Sequence, residues 1–256
     1  MIRRMSEEKM YRLAPSIFAD APHSKTSPKY SFLPTKDIIR GLGDLNWHPV
    51  KVQEQKVRDT NRIGFQKHLV ELENPDIQLF DGLRPRFIVT NSFDWSAPFS
   101  FMLGIFRLVC SNGLVIADAM FENFKTIHRT YTLSEIEDSV YGYVQRVPEL
   151  MNHLHEYKTT KMEYEQVMDF TQKAIDIRFP NDRNIITIED AIATRRPEDD
   201  ENNLWNLFNV VQENLINHPE AKSMKSNRKI RPVKAIDERL KMNQALWALM
   251  NNYIRR

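Results

Sequence analysis

Residues 83–116, LRPRFIVTNSFDWSAPFSFMLGIFRLVCSNGLVI, limit the choice of fold more than any other part of the chain. They contain two runs of aromatic and branched aliphatic residues, with an Asn-Ser pair between them and a Ser-Asn-Gly corner after them. Such runs, bounded by turn residues, are typical of neighbouring β-strands. Arg84, Arg86 and Arg107 lie inside or beside these runs. Because a buried guanidinium needs an acidic or anionic partner, the stretch predicts either a structural ion-pair centre or a face that contacts an anion.

The second apolar run of this stretch is compatible with two structures. Asn112 and Gly113 form a strong tight-turn signal, because both residue types tolerate a positive φ. We therefore expect a hairpin in which residues 99–110 pair with residues 114–119. A helix over residues 97–108 is the alternative, since periodicity does not separate a long buried strand from a buried helix.

The composition along the chain predicts three regions. Residues 1–34 are punctuated by prolines and carry scattered basic side chains without a lasting period, which predicts a flexible basic N-terminal arm. Such an arm either orders when it docks or oligomerises, or it binds nucleic acid or another partner. Residues 35–132 form a β-rich core that opens with a short helix over residues 35–45, and residues 133–256 are helical.

Helical periodicity governs the C-terminal region. Ser134 and Glu137 have the spacing of a capping box, and Pro148 predicts a kink or an end in the helix that follows them. A later helix is predicted by an apolar stripe of Leu204, Phe208, Val211 and Leu215.

Two tryptophans and a basic loop complete this region. We expect Trp205 and Trp247 to anchor the core of the helical layer, with a subunit interface as the alternative. Residues 217–230 form a polar, basic loop before a last helix that begins near residue 235. Together these patterns predict an α+β fold, with a twisted antiparallel sheet, helices packed on it and a helical C-terminal half.

Signatures of catalysis are missing from the sequence. Cys110 is the single cysteine, so the chain forms no intramolecular disulfide and no zinc site built on cysteines. The seven histidines are dispersed, and neither a phosphate-binding loop motif nor a Gly-x-Ser-x-Gly motif occurs. The sequence therefore predicts no metal, no cofactor and no enzyme activity. A hydrolase or nuclease without a motif is an alternative that needs an acidic cluster around Asp118 and Glu122.

The N-terminus lacks the apolar core of a signal peptide. The longest apolar run, residues 99–109, is interrupted by Ser100 and Arg107 and is too short to span a bilayer. We therefore expect a soluble cytoplasmic protein without a membrane partner.

Basic residues interleaved with aromatic ones on the β-rich segment indicate a nucleic-acid surface. The formal net charge is only +2, so the distribution of charge has to carry this hypothesis. Cations along a sheet, with rings such as Phe93 and Trp95 for stacking, are typical of proteins that hold single strands without reading sequence. A mixed sheet with one wet face gives a similar pattern, which is the structural alternative. The predicted nucleic-acid-binding residues are Lys51, Lys56, Arg58, Arg62, Lys67, Arg84, Arg86 and Arg107.

Several blocks resemble a family of phage and plasmid proteins, domain of unknown function nine hundred and thirty-two. These blocks are Arg84-Pro85, Asn91-Ser92, the run from Phe106 to Gly113, and the C-terminal NVVQENLI (209–216) and RPVKAIDERLKMNQALW (231–247). Asn61, Gly64 and Phe65 resemble an upstream block, which Arg62-Ile63 interrupts and which is tighter in the family. The resemblance spans about residues 35–255. It implies a mobile-element protein that acts beside replication and recombination, and it carries over no catalytic residues. At the level of the fold, the order of elements is also similar to single-strand annealing proteins.

We therefore expect a non-enzymatic protein of a phage or plasmid that binds or anneals single-stranded nucleic acid in recombination or replication. Its expected partner is single-stranded DNA, and it is expected to be a homo-oligomer. The alternative is a protein-interaction module that engages a host defence or replication protein through the arm and the terminal helices.

Overall fold

The structure, a computed structural model, describes residues 4–27, 29–77, 83–107, 113–115, 124–126, 132–181, 185–217 and 223–254. Side chains are described at all of these positions except 106, 107, 113–115 and 124–126. The chain divides into two compact units. The first unit comprises Met1–Val109 and Met120–Val147, and the second comprises Cys110–Ala119 and Pro148–Arg256. The boundaries of these units differ from those of the predicted regions 1–34, 35–132 and 133–256. That the predicted regions behave as domains stays a prediction.

Both helices and strands are present, which confirms the α+β class. The strands are β1 (His48–Glu54), β2 (His68–Glu73), β3 (Leu83–Asn91), β4 (Phe99–Arg107), β5 (Gly113–Val115) and β6 (Phe124–Thr126). The α-helices are α1 (Glu7–Leu13), α2 (Thr35–Asp44), α3 (Leu133–Thr159), α4 (Tyr164–Arg178), α5 (Ile188–Ile192), α6 (Leu204–Ile216) and α7 (Ile236–Asn251). Short 3₁₀ helices cover Pro15–Phe18, Thr60–Arg62 and Pro197–Asp199.

The first unit is built on an antiparallel sheet in which β1, β2, β3 and β4 are neighbours in chain order. Val70 on β2 lies opposite Val52 on β1 and Val89 on β3, and Val89 lies opposite Phe101 on β4. The short strand β6 pairs with β4 at its start. The predicted strand over the second apolar run is thus confirmed at Phe99–Arg107, and the helix alternative is wrong there. The Ser111-Asn112 part of the predicted turn lies outside the described residues.

Aromatic side chains fill the core between the sheet and its helices in the first unit. The Phe87 ring lies 4.2 Å from that of Trp47, 4.7 Å from that of Phe101 and 5.6 Å from that of Tyr143, which α3 supplies. Helix α2 approaches the first turn of α3 so closely that a Cβ on Gly41 would come within 2.8 Å of the Leu133 side chain. The predicted packing of helices on the sheet is therefore confirmed.

Residues 4–27 and 29–34 are folded in the structure, whereas the sequence predicts a flexible arm. Ser6 caps α1 by accepting from the Lys9 N–H at 3.3 Å, and Met10, Ala14 and Ile17 are buried. The Ser16 N–H donates to the Glu54 carboxylate at 2.9 Å. The prolines mark corners between short elements here, and the apolar residues lack a period because they dock onto the sheet instead of forming one long helix.

The second unit is helical, as predicted for the C-terminal half. The stripe of α6 is buried at all four predicted positions, and Trp205 and Trp247 are core residues. The Trp247 ring lies edge-on to those of Phe208 and Tyr157, at 6.2 Å and 5.4 Å. Within the described chain, no helix combines the length and the apolar character needed to cross a membrane.

Two local predictions for α3 need correction. Of the two outcomes predicted at Pro148, an end of the helix is wrong, because the helix continues to Thr159; a kink there stays a prediction. Its capping box lies two residues before the predicted pair: the Glu135 N–H donates to Thr132 Oγ1 at 3.3 Å, and the Thr132 N–H donates to the Glu135 carboxylate at 2.8 Å. Ser134 and Glu137 have the same spacing as Thr132 and Glu135, so the sequence pattern alone fits both pairs.

Candidate nucleic-acid interface

The cations predicted on the central strands form ion pairs within the sheet. Register places Lys51 directly opposite Glu71, and Arg86 directly opposite Glu73. Lys51 Nζ lies 2.8 Å from Glu71, and Arg86 contacts Glu71 at 3.0 Å and Glu73 at 2.8 Å. Arg84 also pairs with Glu73. Glu71 and Glu73 are only 5% and 2% exposed. Of the two alternatives for Arg84 and Arg86, the structure therefore shows the structural ion-pair centre.

These pairs limit what the sheet offers to a phosphate. All six residues of β2 are buried, so β2 contributes no solvent-exposed face. Lys67, which precedes β2, is only 4% exposed. Breaking a buried pair leaves an uncompensated charge, so an incoming phosphate would have to compete with Glu71 and Glu73 for these cations. The side chain of Arg107 lies outside the described residues. A nucleic-acid role for Lys51, Lys67, Arg84, Arg86 and Arg107 stays a prediction.

Three loops meet at one end of the sheet, which we call the hairpin-loop end and define as residues 22–27, 29–30, 55–66 and 92–97. Because His68 at the start of β2 pairs with Glu54 on β1 and with Asn91 on β3, the β1–β2 and β3–β4 connections lie at the same end of the sheet. The Phe93 N–H donates to Phe65 O at 2.8 Å, and the His23 N–H donates to Phe93 O at 2.8 Å. His23 Nε2 also lies 3.0 Å from Asn61 O and must donate, because a carbonyl oxygen only accepts. The N-terminal segment thus ties both hairpin loops together.

Trp95 lies at the hairpin-loop end, in a turn whose backbone is held by hydrogen bonds. Its φ is 63°, a left-handed conformation that is unusual for a bulky residue, and the residue is 47% exposed. Asp94 holds the turn by accepting from the Ser96 N–H at 3.0 Å. Ser92 Oγ closes it by accepting from the Ala97 N–H at 2.9 Å and donating to Ala97 O at 2.8 Å. The indole is therefore presented to solvent by a loop whose backbone is held on both sides.

Arg62 acts on this loop through Asp94. Its Nε and Nη2 both lie 2.7 Å from Asp94 Oδ2, and the Asp94 side chain is only 2% exposed. Burial raises the pKa of Asp94, but the hydrogen bonds from Ser96 and Arg62 outweigh burial, so this pKa lies below its ordinary value. Arg62 thus helps to hold, through Asp94, the turn that carries Trp95, and the direct nucleic-acid contact that the sequence predicts for it stays a prediction.

Tyr30 supports the same ring. Its hydroxyl donates to Ser92 O at 2.7 Å, and its ring centroid lies 6.4 Å from that of Trp95. Burial, helped by the negative charge of Asp94, raises the pKa of Tyr30 to about 12. The hydroxyl therefore stays protonated and keeps its hydrogen bond at physiological pH.

Four exposed cations lie in the loops of the hairpin-loop end. Lys56 and Arg58 lie in the β1–β2 connection, and Lys25 and Lys29 lie in the N-terminal segment. None of the four forms an ion pair with a described residue. Asp59 is the exposed carboxylate of this end, and it accepts the Asn61 N–H at 3.0 Å. Cations that lack internal partners are available to an external anion.

The structure brings together part of the predicted site and adds to it. Lys56, Arg58 and Arg62 share one loop next to Trp95, whereas Phe93, which the sequence also offers for stacking, is fully buried. Lys25, Lys29 and Tyr30 were missed as members of this site. The basic character of the N-terminal segment was the signal for the two lysines, but their place depends on the hydrogen bonds of His23. Among the residues with a described position, no group of three or more His, Cys, Asp or Glu side chains is arranged to hold a metal. Asp118 and Glu122 lie outside those residues.

The chain is similar to curated proteins of nearly the same extent. It is 28% identical over 254 residues to UPF0380 protein YafZ of Escherichia coli (strain K12), which covers 96% of this chain and 90% of the relative. It is also 28% identical over 252 residues to UPF0380 protein YfjQ of the same organism, with 96% and 90% covered. No solved structure matches the chain. The family described as Domain of unknown function (DUF932) matches residues 22–247, which include the sheet, the hairpin-loop end and most of the helical half, and the chain therefore belongs to that family.

Proposed function

We propose that this protein binds single-stranded DNA and anneals it, without catalysis, in recombination or replication of a phage or plasmid. The observation that carries the proposal is that the exposed ring of Trp95 shares the hairpin-loop end with four exposed cations that form no ion pair with a described residue. The phage or plasmid setting rests on the family resemblance of the sequence. Action in the cytoplasm and assembly into a homo-oligomer are parts of the same proposal.

The chemistry of the hairpin-loop end suits a single strand better than a duplex. A base that stacks on an aromatic side chain gains about 1–3 kcal/mol, and the base must be unpaired for its face to be reached. Lys25, Lys29, Lys56 and Arg58 would contact phosphates of the strand whose base stacks on Trp95, and each contact would release a counterion. Asp94 and Ser92 hold the turn that carries Trp95 before binding. Little conformational entropy of this loop is therefore lost when a base stacks on the ring.

The first test is fluorescence anisotropy of labelled single-stranded and double-stranded oligonucleotides of equal length, each at low and moderate salt. We expect preference for the single strand and affinity that falls steeply with salt. Trp95→Ala should weaken single-strand binding by about 1–3 kcal/mol, roughly 5- to 150-fold, because stacking is lost. Lys56→Ala with Arg58→Ala should weaken binding and also flatten its dependence on salt.

The matched control is Lys161→Ala with Arg195→Ala, which removes two exposed cations that lie outside the hairpin-loop end. This variant should bind as the unaltered protein does. Equal affinity of the unaltered protein and the Trp95→Ala variant would overturn the proposed site. If the unaltered protein bound neither oligonucleotide at low salt, the function itself would be overturned, and a host-protein pull-down would test the interaction-module alternative.

A further inference from the structure

A second basic surface lies in the helical unit, on residues 223–234, which we call the basic segment. No acidic residue occurs between positions 221 and 236, where the sequence is AKSMKSNRKIRPVKAI. Five cations fall within the described part of this stretch, and all of them are exposed: Lys225, Arg228, Lys229, Arg231 and Lys234. A run of five cations without a carboxylate concentrates positive potential on one short piece of surface.

The basic segment has a defined backbone. The Ser223 N–H donates to Arg228 O at 2.8 Å, and the Asn227 N–H donates to Ser223 O at 2.8 Å. Asn227 has a φ of 51°, which asparagine adopts more readily than most residues. Further along, Val233 is buried and its N–H donates to Ile216 O at 2.8 Å. The alternation of buried Ile230 and Val233 with exposed cations turns the charged side chains outward.

Three of these cations have no partner among the described side chains. Arg228, Lys229 and Arg231 form neither an ion pair nor a side-chain hydrogen bond there. This contrasts with Arg84 and Arg86, which the sheet neutralises through Glu71 and Glu73. Three neighbouring unpaired cations repel one another, so an external polyanion that neutralises them is bound favourably.

The rest of the basic segment favours a phosphate backbone over other polyanions. Ser226 and Asn227 are exposed and add neutral donors of the kind that bind phosphate oxygens. Protein interfaces depend on aromatic or large apolar anchors, and membrane surfaces need a wide apolar face. Among the described residues of this segment, Met224 alone is a large apolar side chain that is clearly exposed. The surface is therefore suited to contacts with charge and hydrogen bonds and has little to offer an apolar partner.

We infer that residues 223–234 form a second nucleic-acid contact, which binds the phosphodiester backbone through Arg228, Lys229 and Arg231 without stacking on bases. The inference rests on the proposed function, because nucleic acid is taken as the ligand. Each of the two units then carries one contact. A chain with two contacts can hold two strands, or two stretches of one strand, at the same time.

The test is the salt dependence of binding to a labelled single strand long enough to reach both contacts, compared with a duplex of the same length. Each phosphate contact to a single strand contributes about 0.7 to the slope of log Kobs against log salt. We expect the variant Arg228→Ala, Lys229→Ala, Arg231→Ala to lower that slope by about 2, since three contacts are lost. Trp95→Ala should lower the affinity and leave the slope unchanged.

The control is Arg12→Ala, Lys161→Ala, Arg195→Ala, which removes the same charge from exposed positions outside both contacts. Circular dichroism and melting temperature confirm that each variant is folded. If the basic-segment variant keeps the slope and affinity of the unaltered protein while Trp95→Ala weakens binding, the inference is overturned and the proposed function stands.

Other outcomes would support the second contact and overturn the proposed function or its site, or would overturn both proposals. If the basic-segment variant loses slope and affinity while the Trp95 and Lys56/Arg58 variants bind normally, the second contact is supported and the hairpin-loop end is overturned. A loss confined to the duplex in the basic-segment variant, with no single-strand binding by any form, supports the contact but overturns single-strand function. Absence of all binding at low salt overturns both.

Discussion

At the scale of single residues, the most constrained ionisable group is the imidazole of His68. It is fully buried, with Ser16 Oγ 2.9 Å from Nδ1 and Thr35 Oγ1 2.8 Å from Nε2. Asn91 Nδ2 donates to the same Thr35 hydroxyl at 3.1 Å and to Leu33 O at 3.0 Å. Burial lowers the pKa of His68 to about 4, against the partial opposition of the Gln66 carbonyl and the Asp94 charge. The neutral ring therefore joins the N-terminal segment to the sheet.

This pKa predicts a loss of stability in mild acid. The folded pKa lies below the unfolded value of about 6.5, so between these values the unfolded chain binds the proton that the folded chain excludes. The contribution of His68 is complete above about pH 6.5 and falls by about 1.4 kcal/mol per pH unit down to about pH 4. Urea unfolding of the unaltered protein and of His68→Gln across this range measures the effect. The glutamine variant should be less stable at neutral pH, and the gap should narrow in acid; a gap independent of pH would contradict the assignment.

At the scale of elements, helix α6 has an amphipathic sequence pattern, but several of its buried side chains are amides. Asn206, Asn209, Gln212 and Asn214 are all buried, and each donates to an oxygen within the second unit. The Asn214 amide bridges two carbonyls at the C-terminal end of α5, with distances of 2.9 Å to Ala191 O and 3.0 Å to Ala193 O. These bonds fix the connection after α5 onto α6 in a way that apolar packing alone would not specify.

Removing the Asn214 amide should therefore be costly. Asn214→Ala leaves two carbonyls that have lost their donor and a space where the side chain was, which costs about 1–3 kcal/mol of unfolding free energy. The matched control is Asn252→Ala, the same substitution at an exposed position after α7, which should change stability by less than about 0.5 kcal/mol. Denaturant midpoints at neutral pH measure both. Equal stability of the two variants would show that the bonds of Asn214 contribute nothing.

The elements were predictable where a local pattern determines them. Helix α2, strand β4 and the stripe of α6 follow from period and turn residues that lie within a few positions of one another. The partners of Arg84 and Arg86 were not predictable in this way, because Glu71 and Glu73 become their neighbours only through the register of β2 with β3. The same holds for the candidate site. Lys56, Arg58 and Arg62 are close in sequence, but Lys25 and Lys29 join them only after His23 docks on the hairpin loops.

At the scale of the whole molecule, the distribution of charge matters more than its sum. The chain has 36 basic and 34 acidic residues, a balance that says little about a ligand. Lys51, Arg84 and Arg86 on the strands are neutralised by carboxylates. By contrast, Lys25, Lys29, Lys56 and Arg58 at the hairpin-loop end, and Arg228, Lys229 and Arg231 on the basic segment, form no ion pair with a described residue. A surface of this kind would bind a polyanion at discrete places and leave the rest of the protein near neutrality.

The two proposed contacts lead to a prediction about annealing. Holding two complementary strands on one particle raises their effective concentration for each other, so annealing is accelerated beyond what binding of one strand provides. The acceleration should depend on both contacts. It can be measured as the rate of energy transfer between donor-labelled and acceptor-labelled complementary oligonucleotides, with each variant at the concentration that gives equal single-strand occupancy.

At equal occupancy, Trp95→Ala and the variant lacking Arg228, Lys229 and Arg231 should each lose most of the acceleration, while the control variant of Arg12, Lys161 and Arg195 should keep it. If annealing followed occupancy alone in every variant, the two contacts would serve one strand, and juxtaposition of strands would have to come from a second copy of the chain.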